Sequence, residues 1–216
     1  MQQNTRWAWL SLLACFIGFA AVAVWVAGGK TAAFDGAISG WIQSFQSGRL
    51  AAFSLFMAAI GQPRAVLLAA IAIAVLGIGC AAAFKSAWLK TAVVNLSLFV
   101  AVNLSAYLSE PVLKELFQRP RPISHISSYS FPSGHAMLAF AFCITGAYLL
   151  ARHVPSRFGR NMVIAAATAV TVLMGLSRIY LNVHYPTDII AGFFASGFLL
   201  SLIILLFDRG AALRKN

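Results

Sequence analysis

The chain has 216 residues, 61% of them apolar and only 10% charged, with a formal net charge of +11. Soluble domains carry about 25% charged residues, so this balance excludes an ordinary soluble protein and indicates an integral membrane protein of a single domain spanning residues 1–216. Basic residues are scattered between apolar runs instead of forming one stripe, which argues against a nucleic-acid partner and for lipid headgroups, and Cys15, Cys80 and Cys143 all fall inside apolar runs as small core residues.

Six stretches are long and uncharged enough to cross a bilayer core, which takes about 17–25 residues. In chain order they are Trp7 to Gly28, Ala65 to Phe84, Thr91 to Ser109, Gly134 to Ala151, Asn161 to Ser177 and Ile189 to Phe207. The first has no short apolar core ending in a small-residue cleavage site and is expected to be a retained span. Between the first two, Phe34 to Phe45 carries Asp35, Trp41 and Gln43 among apolar positions, and Leu50 to Ile60 is apolar but too short to span. The pair reads as an interfacial helix followed by a partly embedded segment. The fold class is therefore all-α, a six-span helical bundle with an interfacial segment between the first two spans.

Lysine and arginine counts in short loops set the orientation. With the N-terminus inside, the cytoplasmic face carries Arg6, Lys85, Lys90, Arg152, Arg157, Arg160, Arg209, Arg214 and Lys215, against Lys30, Arg49, Arg64, Lys114, Arg119, Arg121 and Arg178 on the other. Setting Lys114, Arg121 and Arg178 aside for a site strengthens the bias. The loops after the third and fifth spans are thus expected on the extracytoplasmic face.

Those two loops hold the unusual residues. The first runs from Lys114 through Arg119-Pro120-Arg121-Pro122 to Phe131-Pro132-Ser133-Gly134-His135, where Ser133 is an N-cap and the fourth span begins. Unpaired N–H groups and the dipole at such a helix start bind anions, and Gly134 lets the anion approach. The second loop holds Arg178, His184 and Asp188. Three cations, two histidines and one carboxylate on one side of the membrane suit phosphoryl transfer, in which catalysis is mostly positioning and charge stabilisation. His184, with Asp188 four residues on, is the candidate nucleophile, and His135 the candidate acid and base. His184 and Asp188 also read as a structural pair, and Arg178 as an interfacial snorkelling residue. His125 and His153 are set aside.

The pattern Lys114-x6-Arg121-Pro122, Pro132-Ser133-Gly134-His135 and Ser177-Arg178-x5-His184-x3-Asp188 resembles the three-part signature of the type 2 phosphatidic acid phosphatase superfamily. The resemblance implies a phosphatase needing no metal and no cofactor, which forms a phosphohistidine at His184. It further implies that Asp188 orients His184, that His135 serves as acid and base, and that Lys114, Arg121, Arg178, Ser133 and Gly134 hold the phosphate. Arg119 is left over, either as a contact for the second phosphate of a diphosphate or as an exposed loop residue. The expected substrate is undecaprenyl pyrophosphate or a related isoprenoid diphosphate, with phosphatidylglycerophosphate or phosphatidic acid as the alternative, hydrolysed at the bacterial cytoplasmic membrane. A non-catalytic helical bundle or anion transporter is the alternative of another class. A transporter, however, places ionisable groups near the bilayer midplane, and here the charges sit at span ends.

Overall fold

A computed structural model describes residues 2–45, 47–85, 87–123 and 126–213. His125, Arg214 and Lys215 lie outside them. The described residues form eight helices: α1 (Gln2–Ala27), α2 (Ala32–Ser44), α3 (Gly48–Ile60), α4 (Pro63–Ala83), α5 (Leu89–Phe117), α6 (Gly134–Ala151), α7 (Arg157–Tyr180) and α8 (Pro186–Leu213). Six of them, α1 and α4 to α8, are long and apolar enough to cross a membrane. At 1.5 Å per residue the shortest, α6, is about 27 Å long, close to the thickness of a hydrocarbon core.

α6 and α8 are the most buried of the six and form the middle of the bundle, packed on each other, with α5 and α7 against α6 and α1 along α8. Val102 and Ala106 of α5, Met137, Leu138 and Ala141 of α6, and Leu205 of α8 make the interior. Outward, Trp7, Phe16, Leu76, Trp88, Phe158 and Leu206 present large apolar surfaces, which water would not tolerate and lipid does. Close approach of α6 to α8 depends on Gly192, where an added Cβ would stand 3.0 Å from the Ser133 carbonyl oxygen.

The expected interfacial region is two short helices docked on the bundle. Gln43 Nε2 of α2 donates to the Ile179 carbonyl at 3.3 Å and to Asn182 Oδ1 at 3.0 Å, and α3 packs along α7. Two helix ends differ from the sequence expectation. α5 runs through Pro111 for almost two further turns, because the segment after it, Val112 to Phe117, is made of residues that favour or tolerate a helix, and ends at Gln118 with a positive φ of 47°. Lys114 is therefore on a helix and not in a loop. Arg178, also expected in a loop, sits in the last turn of α7. Chain direction then brings the C-terminal ends of α5 and α7 and the N-terminal ends of α6 and α8 to one end of the bundle, beside α2.

Candidate active site

Ser133 caps α6 by accepting from Ala136 N–H at 3.5 Å, and its own N–H donates to the Asp188 carbonyl at 3.1 Å, tying the start of α6 to the start of α8. The loop that carries Arg121 is folded back on itself: Ser130 N–H donates to the Arg119 carbonyl at 2.8 Å and its hydroxyl to the Pro120 carbonyl at 3.1 Å. Gly134 opens the helix start. A Cβ there would collide with the Glu110 carboxylate, 2.7 Å from Oε1, so Glu110 of α5 reaches the rim of the cradle, where it also pairs with Lys114.

His184 is buried, with Nδ1 3.3 Å from Asp188 Oδ2. A carboxylate only accepts, so the proton rests on Nδ1 and the lone pair on Nε2. Burial pushes the imidazole down to about 4, with Arg121 and Arg178 acting in the same direction and Asp188 opposing, so the ring is neutral at physiological pH. Arg121 aims at that lone pair. Its Nη1 lies 3.0 Å from Nε2 and donates to the Val183 carbonyl at 2.8 Å, while Nε and Nη2 hold Ser128 through its carbonyl at 2.9 Å and its hydroxyl at 3.0 Å. His135 Nε2 donates to the Ala58 carbonyl of α3 at 3.2 Å, which leaves Nδ1 as the nitrogen free to exchange a proton.

Arg178 is the anomaly. It is only 9% exposed, and its buried Nε has no hydrogen-bond partner among the described residues. A buried cation without a partner is costly, and an anion held between Arg178, Arg121 and the α6 N-terminus removes that cost. The structure thus brings Lys114, Arg121, Ser133, Gly134, His135, Arg178, His184 and Asp188 to one end of the bundle. Among the described residues no group of three or more His, Cys, Asp or Glu side chains gathers in a way that could hold a metal ion.

Arg119 does not fit its expected place. Both terminal guanidinium nitrogens are committed behind the His184–Asp188 pair, Nη1 to Asp188 Oδ1 at 2.6 Å and Thr187 Oγ1 at 2.8 Å, Nη2 to Asp35 Oδ2 at 2.7 Å and Thr31 Oγ1 at 2.9 Å. It is neither an exposed loop residue nor a free cation for a second phosphate. Asp35 itself is 2% exposed, and the sequence reading placed it in the interfacial helix with no part in the site. An acidic residue in an otherwise apolar helix was the available signal.

The family model of the PAP2 superfamily matches residues 94–211, more than half of the chain and all three motif segments. The chain belongs to the PAP2 superfamily. Over 108 residues it is 43% identical to phosphatidylglycerophosphatase B of Bacillus subtilis, covering 47% of this chain and 52% of that protein. It is 30% identical over 113 residues to an undecaprenyl-diphosphatase of Sulfolobus acidocaldarius, covering 48% and 50%. The chain spans about half the length of these curated relatives. The crystal structure of a transmembrane PAP2-type phosphatidylglycerolphosphate phosphatase from Bacillus subtilis superposes with a TM-score of 0.73 at 30% identity, covering 93% of this PAP2 chain and 96% of that one. Aquifex aeolicus LpxE shares the fold, with a TM-score of 0.54 at 22% identity over 78% and 93% of the two chains.

Proposed function

We propose that this PAP2 protein is a membrane lipid phosphatase that cleaves a phosphomonoester through a phosphohistidine on His184. The observation that carries the reading is the buried Arg178 with its unpartnered Nε, beside a neutral imidazole whose lone pair faces Arg121. His184 Nε2 attacks phosphorus, the P–O ester bond breaks, and His135 gives the leaving oxygen its proton. Water then attacks phosphorus and gives a proton to His135, and the P–N bond breaks with its electron pair returning to His184. Lys114, Arg121, Arg178, the Ser133 hydroxyl and the Gly134 N–H hold the phosphoryl oxygens throughout, the cations supplying the positive charge that a metal ion supplies in other phosphatases.

A glycerolipid monophosphate, phosphatidylglycerophosphate first, is favoured over undecaprenyl pyrophosphate, which sequence reasoning alone ranks higher. The phosphatidylglycerophosphatase B relative supports this, and so does Arg119, which is engaged with Asp35 and Asp188 and leaves a second phosphate without the partner that was expected for it. A lipid tail has room close by. An apolar cavity of about 240 Å³ between α4, α6 and α7 begins at Ala139, one turn along α6 from His135, and is lined further by Val66, Phe142, Val170 and Met174. The proposed location is the bacterial cytoplasmic membrane with the site on the extracytoplasmic side.

Release of inorganic phosphate by the purified protein, assayed with phosphatidylglycerophosphate, phosphatidic acid and undecaprenyl pyrophosphate in excess chelator, tests the reading. Release from the monophosphates at an undiminished rate is expected. Release from none returns the protein to the transporter or non-catalytic class, and a loss restored by magnesium or zinc replaces the nucleophilic histidine with a metal-activated water.

A further inference from the structure

Three distant parts of the chain meet behind His184: Thr31 and Asp35 at the start of α2, Arg119 in the loop before α6, and Thr187 with Asp188 at the start of α8. Asp188 sits in the third position of α8 and reaches back to the N–H of Tyr185 at 3.0 Å, the acidic half of a capping box. The neighbouring N–H, that of Thr187, is capped from outside the helix by Asp35 Oδ1 at 3.0 Å, while Thr187 Oγ1 donates to Asp35 Oδ2 at 2.9 Å. Arg119 closes the ring by bridging the two carboxylates, Asp35 at 2.7 Å and Asp188 at 2.6 Å, with its guanidinium 4.1 Å from the centre of the Tyr185 ring. The side chains are 13%, 2% and 0% exposed for Arg119, Asp35 and Asp188, so their charges act on one another with little screening by water.

We propose that Asp35, acting through Arg119 and Thr187, is a positioning residue for Asp188 that keeps a net negative charge behind His184. The inference rests on the histidine-phosphatase reading. Two carboxylates and one guanidinium sum to one negative charge. When Nε2 bonds to phosphorus the imidazole gains positive charge, and this surplus offsets it through Asp188. With Asp35 made neutral, Arg119 cancels Asp188 and the ring faces a neutral relay. The same change releases the Arg119 fork from one side, and with it the orientation of the Asp188 carboxylate.

Three variants of the full chain in detergent test this: Asp35→Asn, Arg119→Gln and the double. Asp35→Asn lowers kcat on dioctanoyl phosphatidic acid about ten- to a hundredfold with KM within about twofold, and the double variant is no slower than Asp35→Asn, because removing both charges restores the surplus. A second readout needs no turnover. The NMR titration midpoint of the His184 imidazole, which faces Asp188, Arg121, Arg178 and His135, moves up in Arg119→Gln and returns toward the wild-type value in the double. Unchanged kcat and midpoint in Asp35→Asn and Arg119→Gln, or losses that multiply in the double, overturn the proposal. A wild type that hydrolyses no phosphomonoester defeats the phosphatase reading instead, and the midpoints then decide the relay alone. Should Asp35→Asn not yield monodisperse protein, Arg119→Lys keeps the charge but not the two-sided bridge. A lower kcat at unchanged KM supports the relay, and an unaltered kcat overturns it.

Discussion

Arg121 Nη1 lies 3.0 Å from His184 Nε2, on the side of the ring opposite the Asp188 carboxylate. In the proposed mechanism the first marks where a phosphoryl oxygen sits when phosphorus is on Nε2, while the second fixes the tautomer that leaves Nε2 unprotonated. Arg121 is itself held at Ser128 and Val183 by three of its contacts, so the fork is oriented before substrate arrives.

Asp188→Asn replaces the acceptor at Nδ1 with a group that can also donate, and so allows the tautomer with the proton on Nε2. The expected fall in kcat is about a thousand- to ten-thousandfold, the scale seen when an orienting carboxylate of a histidine is made an amide. Stopped assays at saturating lipid phosphate check it. A fall of less than tenfold removes Asp188 from the orienting role.

The pH dependence follows from burial of His184, first, with Arg121 and Arg178 adding to it, which together bring the ring to about 4. In the proposed mechanism the neutral ring is the nucleophile, so the acid limb of kcat/KM set by this group falls near pH 4, well below the ordinary histidine range. Stability carries the same signature. The unfolded chain takes up the proton near pH 6.5 and the folded one near 4, so the contribution is complete above pH 6.5. It is lost as pH falls toward 4, a change on the order of 3 kcal/mol. Melting temperatures of wild type and His184→Gln between pH 7 and 4 check this: the wild type declines more steeply, and parallel curves contradict it.

Arg178→Gln is expected to raise the melting temperature, because a buried cation lacking a partner at Nε is removed, while kcat/KM falls about a hundredfold or more. Inorganic phosphate raises the melting temperature of the wild type and not of the variant. Equal stabilisation of both by phosphate places the anion elsewhere.

Single cysteines, introduced after the three native ones are replaced, test the side on which the site opens. Ser127 is exposed in the loop between α5 and α6, and Arg157 is exposed at the start of α7, at the other end of the bundle. Ser127→Cys is expected to react with an impermeant thiol reagent in intact cells and Arg157→Cys is not. The reverse pattern inverts the orientation.

The six spans and the three motif segments were legible in the sequence because each is local: a span shows in about 20 consecutive apolar residues, and a helix start shows in Ser133 followed by Gly134 and an apolar run. What the sequence hid is tertiary. The uncharged run of the third span stops at Ser109 because Glu110, Lys114 and Glu115 follow, so Lys114 reads as a loop residue, although the helix continues through Pro111, whose one missing N–H is tolerated when the turns beyond it favour a helix. Arg119 and Asp35 are 84 positions apart, and no local pattern announces that a surplus cation in one loop is claimed by a carboxylate in α2. Glu110, left without a role in the sequence, meets Lys114 one turn on and Gly134 across the cradle, contacts that only the packing of α5 on α6 creates.

The phosphohistidine is the central claim, and trapping it is the most direct test. Wild-type protein and the His135→Ala variant are mixed with radiolabelled lipid phosphate, quenched in alkali, in which a phosphohistidine survives, digested and sequenced by mass spectrometry. Label on the His184 peptide is predicted, longer-lived in His135→Ala because the base that activates water is missing, and absent from His184→Gln. Phosphate release by wild type with no label on any histidine, or with label on His135 in place of His184, contradicts the account.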